Sequence, residues 1–584
     1  MNPVKALGPL ASWGSRQSFA GVRVELLTVA GLFVCGIVAA AWGAWLCDDS
    51  FISLRYAENL VAGNGLVYNA GEFVEGYTNL LWTLLLAGFA ALGADPLEVA
   101  RYLGLLPYAA LALGLIRLSW SRSRDGRHHF VPLAAAYVLL AQDFRVWASG
   151  GLETMLFICL SVGGLALTRR PPDSLRHPLA AGCLLALATL TRPDAVLFAG
   201  AGAASYWIPL SRVPLKARLR ASLAVAAPVA LVLAVWIPFK LDYYGDVFPT
   251  AFYSKSVVES YFSQGIVYVG LYFLKNWILL LAVGLALLAR LLGWGAPQRS
   301  DDWENLFWLA SAGGFLAYLV WIGGDFMFAR RLLPVIPMLL IVLEESLSRV
   351  EPEQRRRQAS VVFLVATLLT VPLYGPQRPR IRGISDEPLY YPASIIETRR
   401  EQAELTAKAL AGIDVRVAFE GGMCVFGYFS RLPYLVEMSG LTQYSLAKLP
   451  LGQRGIPGHE KQPTEAWLQE NDIQLVVRQT FPDQIPAPWS LRLDDLVIDQ
   501  KVHLRIQYYD RELMEQLRGR PGVQFLPIEE VIARSRRRML SVSRTEAIEI
   551  YEKLDAYYFR QAGPKGLRDA EELRAILARK RPDA

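Results

Sequence analysis

Charge and cysteine are both scarce in this chain. Only 19% of its 584 residues are charged, against 53% hydrophobic, a balance too apolar for an ordinary soluble protein in a chain too long for one domain. A bilayer is the expected solvent. Five cysteines occur without CxxC spacing. Cys35, Cys47, Cys159 and Cys183 lie in apolar stretches, where a thiol behaves as a small hydrophobe, and Cys424 alone does not. Neither a disulfide framework nor a zinc site is indicated. Low-complexity segments and internal repeats are also lacking. The net charge of +7 invites a nucleic-acid partner, but the basic residues fall in separate clusters between apolar runs, as orientation signals do. No nucleic acid is expected.

What the chain has in quantity is apolar runs. The first, Leu26 to Trp45, is long enough to span a bilayer and is not followed by a convincing small-residue cleavage site, so it is read as a retained span with a cytoplasmic N-terminus. Basic clusters then alternate along the chain: Lys5, Arg16 and Arg23; Arg117, Arg122, Arg124 and Arg127; Arg169, Arg170 and Arg176; Arg212, Lys216, Arg218 and Arg220; Arg290 and Arg299; Arg349 and Arg355 to Arg357. All belong on the cytoplasmic side. Counting Tyr77 to Leu92 as a span would break the alternation, and its start is polar, so it is read as a juxtamembrane or re-entrant helix on the outer face.

This gives a polytopic α-helical membrane bundle of about 11 spans, residues 1–375, followed by a soluble domain, residues 376–584, outside the cell membrane in the periplasm or beyond. Within the latter, Val415 to Phe419 and Ile473 to Arg478 read as strands and Thr464 to Asn471 as a helix. Glu420-Gly421-Gly422 reads as a tight turn, and the domain is expected to be α/β. The charged stretch Arg544 to Ala584 is helix-prone.

Nearly every unusual polar motif falls on the exterior: Cys47-Asp48-Asp49-Ser50, the turn Ser149 to Thr154, Thr191-Arg192-Pro193-Asp194, the loop Asp242 to Ser256, and Gly323 to Arg331. Adjacent carboxylates at Asp48 and Asp49 repel one another at a desolvating boundary, which favours proton uptake and suits a base. The plain alternative is that they end a helix and face water. An amphipathic helix, Phe51 to Leu60, and the turn Gly63-Asn64-Gly65 follow, more structure than a connection needs. Lys255, Arg330 and Arg331 put positive charge where the orientation rule disfavours it, and phosphate oxygens would account for them. The alternatives are lipid headgroups or pairing with Asp325 or Asp246. Arg192 beside Asp194 reads as an internal ion pair. An outward base with outward cations suits transfer of a group from a lipid phosphate to an acceptor hydroxyl.

Asp48-Asp49 followed by Phe51-Ile52-Ser53-Leu54-Arg55-Tyr56, Gly63-Asn64-Gly65 and Glu75-Gly76-Tyr77-Thr78-Asn79 resembles the first external loop of GT-C class integral-membrane glycosyltransferases. Within that class the chain looks most like the terminal arabinofuranosyltransferases of mycobacterial arabinan synthesis. The turns at Ser149 to Glu153 and Thr191 to Asp194, with Phe248 to Lys255 and Gly323 to Arg331, are similar to later external-loop segments of such proteins. The resemblance implies an inverting transferase, metal-independent or assisted by a divalent cation. It would take a polyprenyl-phosphate-linked sugar donor and a glycan or glycoconjugate acceptor. Asp48 or Asp49 would be the base and Lys255 with Arg330 or Arg331 the donor-phosphate contacts. Arg55, Glu75, Tyr77, Glu153, Arg192, Asp194, Tyr253 and Asp325 are the further substrate-binding candidates, and the soluble domain would help hold the acceptor. Arabinofuranose is the favoured sugar; related members of the class move mannose. Two other classes compete: a transporter or flippase for a lipid-linked sugar, and a non-catalytic glycan-binding scaffold.

Overall fold

The computed structural model describes residues 19–122, 132–170, 174–207, 214–256, 259–291, 299–350, 352–479 and 484–580. Of the basic orientation signals, Lys5, Arg16, Arg124, Arg127 and Arg212 lie outside them. Packing divides the chain into two units, each discontinuous in sequence. The first takes Met1–Cys47, Thr78–Lys240 and Val257–Tyr390, and the second Asp48–Tyr77, Leu241–Ser256 and Tyr391–Ala584.

In the first unit, apolar length decides the architecture. Among the described residues four helices are long and apolar enough to cross a bilayer: Glu25–Trp42, Pro96–Ser121, Leu215–Tyr243 and Trp303–Ile322. A fifth span is formed if the pair Phe262–Lys275 and Trp277–Ala289, bent by 92°, is counted as one. Their outer faces expose Leu27, Val34, Leu231 and Val235, surface that water would penalise and lipid accepts. The chain is a multi-pass membrane protein. The helix Leu80–Ala91 has 12 residues, about 18 Å at the helical rise, too short for a hydrocarbon core about 30 Å thick. A short antiparallel pair, β1 (Arg380–Ile381) and β2 (Ile384–Ser385), completes this unit.

The second unit is built on a six-stranded mixed sheet: β3 (Arg416–Phe419), β4 (Tyr434–Glu437), β5 (Leu475–Val477), β6 (Asp495–Ile498), β7 (Val502–Ile506) and β8 (Val523–Phe525), in the order β4-β3-β5-β7-β6-β8. Both β4 and β5 run parallel to β3. Val417, Ala418, Phe419, Leu435, Val436 and Leu475 to Val477 are all buried, the continuous apolar pattern of strands covered on both faces. The expected helix at Thr464 to Asn471 forms over Glu465–Glu470, with Thr464 accepting the Trp467 N–H at 3.1 Å as its cap. Helices Arg544–Leu554 and Gly563–Arg579 occupy the charged C-terminal stretch.

Because β4 and β5 flank β3 on opposite sides, the turn after β3 lies at a topological switch point, where α/β sheets concentrate function. The first-loop helix Ser50–Val61 belongs to this unit, with the Phe51 ring 5.6 Å from Tyr428 and 5.8 Å from Phe429. Asn69 pairs with the outer edge of β4 as another strand would, donating to Leu435 O at 2.9 Å and accepting its N–H at 3.0 Å. The second unit thus has its main stretch from Tyr391 onward and takes in two earlier segments, Asp48–Tyr77 and Leu241–Ser256.

Candidate functional site

The turn Glu420-Gly421-Gly422 ends at the helix Cys424–Phe429, whose first N–H groups need acceptors. Asp48 supplies them. It is 1% exposed, and its Oδ2 accepts the Cys424 N–H at 3.0 Å while Oδ1 accepts that of Val425 at 3.2 Å. Arg399 Nη1 stands 3.7 Å from Oδ1. Both oxygens of Asp48 are therefore committed within the fold. Asp49 is half-buried at the N-cap of the helix Ser50–Val61, and its side chain does not cap that helix.

Ligand atoms of Asp48, Asp49 and Cys424 lie within 4.8 Å of one another, near enough to share a metal ion. Burial first, then the charge of Asp48, pushes the Cys424 thiol well above its ordinary pKa. A hard divalent cation wants several free oxygens and has little use for a thiol. With Asp48 already bonded on both oxygens, the trio does not suit such a cation.

Glu437, at the end of β4, is fully buried. Its carboxylate accepts the N–H of Ser439 at 2.9 Å and of Leu441 at 3.0 Å, while its own N–H goes to Thr442 Oγ1 at 2.9 Å. Burial pushes its pKa up to about 7 against the pull of those N–H groups, and the charge of Asp49 adds to the rise. An unfolded Glu ionises near 4.5, so between the two values the folded state holds the extra proton. The stability gained from that proton is full below 4.5 and lost as pH rises through about 7. The thermal midpoint of the wild type relative to Glu437→Gln is expected to fall between pH 5 and pH 8, as followed by tryptophan fluorescence of the full chain in detergent.

Lys255 closes the short helix Thr250–Ser254 and is half-buried. Its alkyl stem runs over Gly458, where an added Cβ would sit 3.2 Å from Lys255 Cε. Thr250 N donates to Glu75 O at 2.9 Å, Thr250 Oγ1 to Leu441 O at 2.6 Å, and Ser254 Oγ to Ser439 O at 2.9 Å. The Asp246 carboxylate is engaged by Lys448 at 2.6 Å and the Tyr253 hydroxyl at 2.9 Å.

Other first-loop candidates serve as ties within this unit. Arg55 donates to Tyr68 O at 2.8 Å, Gly427 O at 2.7 Å and Leu432 O at 2.8 Å, and lies over the Tyr68 ring. Tyr77 shares a hydrogen bond of 2.9 Å with the Tyr244 hydroxyl. Glu75 is buried and contributes its carbonyl to Thr250.

The first unit gathers a second set. Glu153, 1% exposed before the helix Thr154–Thr168, receives Arg330 Nη2 at 2.8 Å, Asn79 Nδ2 at 3.0 Å and Arg192 Nη1 at 3.5 Å. Arg192 also holds Asp194 through Nη2 at 2.8 Å and Nε at 3.1 Å, the internal pair read from Thr-Arg-Pro-Asp. Arg331 Nε is 3.4 Å from Asp325 Oδ2. Three guanidinium groups thus stand among three carboxylates in a charge-balanced cluster. The backbone here needs glycine: Gly324 has φ of +71°, and an added Cβ would approach Tyr268 to 2.4 Å.

Glu437, Cys424 and Arg399 stand around the Asp48-Asp49 pair without having been part of the motif reading. Cys424 carried a signal in being the one cysteine outside an apolar run, whereas Glu437 looks like the end of any strand.

No family model matches the chain. The solved apo structure of ArnT from Cupriavidus metallidurans aligns at a TM-score of 0.46 and 15% identity, covering 84% of this chain and 98% of that one. In sequence, the chain is 28% identical over 377 residues to the terminal beta-(1->2)-arabinofuranosyltransferase of Corynebacterium glutamicum, covering 58% of this chain and 54% of the relative. The protein of the same name from Mycobacterium tuberculosis is 31% identical over 341 residues, covering 52% of this chain and 53% of the relative. The chain therefore spans about half the length of the curated relatives it matches, and what it resembles over that half is a terminal arabinofuranosyltransferase.

Proposed function

We propose that this chain is a membrane glycosyltransferase that moves a sugar, arabinofuranose in the favoured reading, from a polyprenyl-phosphate donor to a hydroxyl of a glycan acceptor. The observation that carries the reading is the placing of the Asp48-Asp49 pair: Asp48 caps the helix after β3 with both oxygens, and Asp49 stands half-buried next to it in the chain. The acceptor hydroxyl oxygen attacks the anomeric carbon, its proton passes to Asp49, and the bond from that carbon to the phosphate oxygen breaks. The lipid phosphate leaves as an anion, with Lys255 to meet its charge. A single displacement inverts the anomeric centre. Arg330, Arg331 and Arg192 are already balanced by Glu153, Asp325 and Asp194, so this reading does not need them to neutralise the donor. The spacing of the basic clusters supports placing the reaction at the outer face, with the N-terminus cytoplasmic and residues 376–584 periplasmic.

The assay uses the purified full chain with radiolabelled polyprenyl-phosphoryl arabinofuranose or mannose and an oligoarabinoside. Arabinose incorporation with release of the lipid phosphate is expected, and NMR of the product should give an inverted anomeric centre. Retention would overturn the single displacement. Movement of the labelled donor across vesicles without any transfer would replace the enzyme reading by a flippase.

A further inference from the structure

Between Glu437 and Lys255 runs an unbroken set of hydrogen bonds, all inside the second unit. The Glu437 carboxylate gathers the N–H groups of Ser439 and Leu441 into a turn, and Thr442 Oγ1 closes it onto the Glu437 N–H. With both N–H groups drawn inward, the carbonyls of the same two residues are the ones bonded by the helix that ends in Lys255. Ser439 O accepts Ser254 Oγ at 2.9 Å and Leu441 O accepts Thr250 Oγ1 at 2.6 Å. Thr250 and Ser254 are both fully buried, so these bonds have no water to compete with them. Gly440 sits between the two anchor points at φ of +84°, where an added Cβ would fall 2.8 Å from the Ala447 backbone and 3.0 Å from Ser254 Oγ. The turn and the helix are in such close approach that no other residue fits. That short helix has five residues, too few to hold its shape alone. Its geometry is held from outside, by this turn together with the Glu75 carbonyl that accepts from Thr250.

We infer that Glu437 is a positioning residue for the transfer: by folding the turn Ser439 to Thr442 it holds the helix Thr250–Ser254, and so fixes Lys255. The inference rests on the reading of Lys255 as the donor-phosphate contact. Glu437 touches no reacting atom. The titratable groups around it are Asp49 from the start of the first-loop helix, Tyr68 from the first loop and Cys424 from the helix after β3, with His459 also packed against Gly421.

Glu437→Gln keeps the size of the side chain but puts an NH₂ group against one of the two backbone N–H donors, so one anchor is lost and the turn loosens. In the full chain two readouts apply. The first is acylation of Lys255 by a small amine-reactive probe, normalised to exposed Lys553 and read by mass spectrometry. It is expected to rise about fivefold, an order-of-magnitude figure for losing one buried hydrogen bond. The second is kinetic: KM for the polyprenyl-phosphoryl sugar is expected to rise by about tenfold with kcat within twofold, the split expected when binding is lost without loss of transition-state contacts. Ser254→Ala should reproduce both effects, and serves if Glu437→Gln fails to accumulate. Unchanged Lys255 acylation and donor KM in either variant overturn the inference while leaving the proposed function intact. A wild type inactive with every donor, in which Glu437→Gln still exposes Lys255, removes the function and leaves the mechanical link standing.

Discussion

Asp49→Asn is expected to lower kcat by about 10²–10⁴-fold, the contribution of a positioned general base, while the thermal midpoint of the full chain stays near that of the wild type. The amide keeps the volume of this half-buried side chain, so its packing is preserved. Asp48→Asn should do the reverse. The amide retains one acceptor oxygen and turns an NH₂ group toward the other of two backbone donors, Cys424 N or Val425 N, leaving a buried donor unmet at about 1–3 kcal/mol. Single-turnover transfer and thermal midpoints, measured on both variants, separate the roles. If Asp48→Asn lost transfer with its midpoint unchanged, and Asp49→Asn kept transfer, the assignment of the base would be reversed.

The second large effect is expected at Glu153. Its carboxylate is shared by Arg330 and Arg192 in a site almost closed to water, and Glu153→Ala would leave two buried guanidinium groups without their common acceptor. Breaking a buried pair from one side costs about 3–5 kcal/mol, so the variant should accumulate poorly and melt far below the wild type in detergent. Glu153→Gln should be milder, because its amide oxygen can still accept from Arg330. Equal midpoints for the alanine variant and the wild type would mean that Arg192 finds enough in Asp194, and Arg330 in other partners, to dispense with Glu153.

How far the sequence led depends on how local the determining contact is. The pair Arg192–Asp194 was legible because its partners are two residues apart. The strands β3 and β5 were legible because runs such as Val417-Ala418-Phe419 and Leu475-Val476-Val477 are buried on both faces and carry no helical period. Asp48-Asp49 was legible as a pair and not as two roles: what separates them is the amide of a residue 376 positions later. The bond between Arg330 and Glu153 spans 177 positions, and no spacing rule reaches that far, so the arginine read as a cation awaiting a phosphate. Arg55 read as a substrate contact for the same reason, since the carbonyls of Gly427 and Leu432 that absorb its donors lie in another stretch of chain. Glu437 gave no signal because Tyr-Leu-Val-Glu is an ordinary strand ending, and its burial is made by segments distant in sequence.

The recruitment of Asp48–Tyr77 and Leu241–Ser256 into the second unit also bears on how such a chain can be cut or inherited. Expression of residues 376–584 by themselves would expose the β4 edge that Asn69 covers and the helix start that Asp48 caps. Such a fragment should be sticky and poorly folded. By the same token, recombination could not exchange this unit as one block of coding sequence. Any swap confined to the C-terminal third would match a foreign sheet to native ties at Asp48, Arg55 and Asn69, so the three stretches must change together or hardly at all.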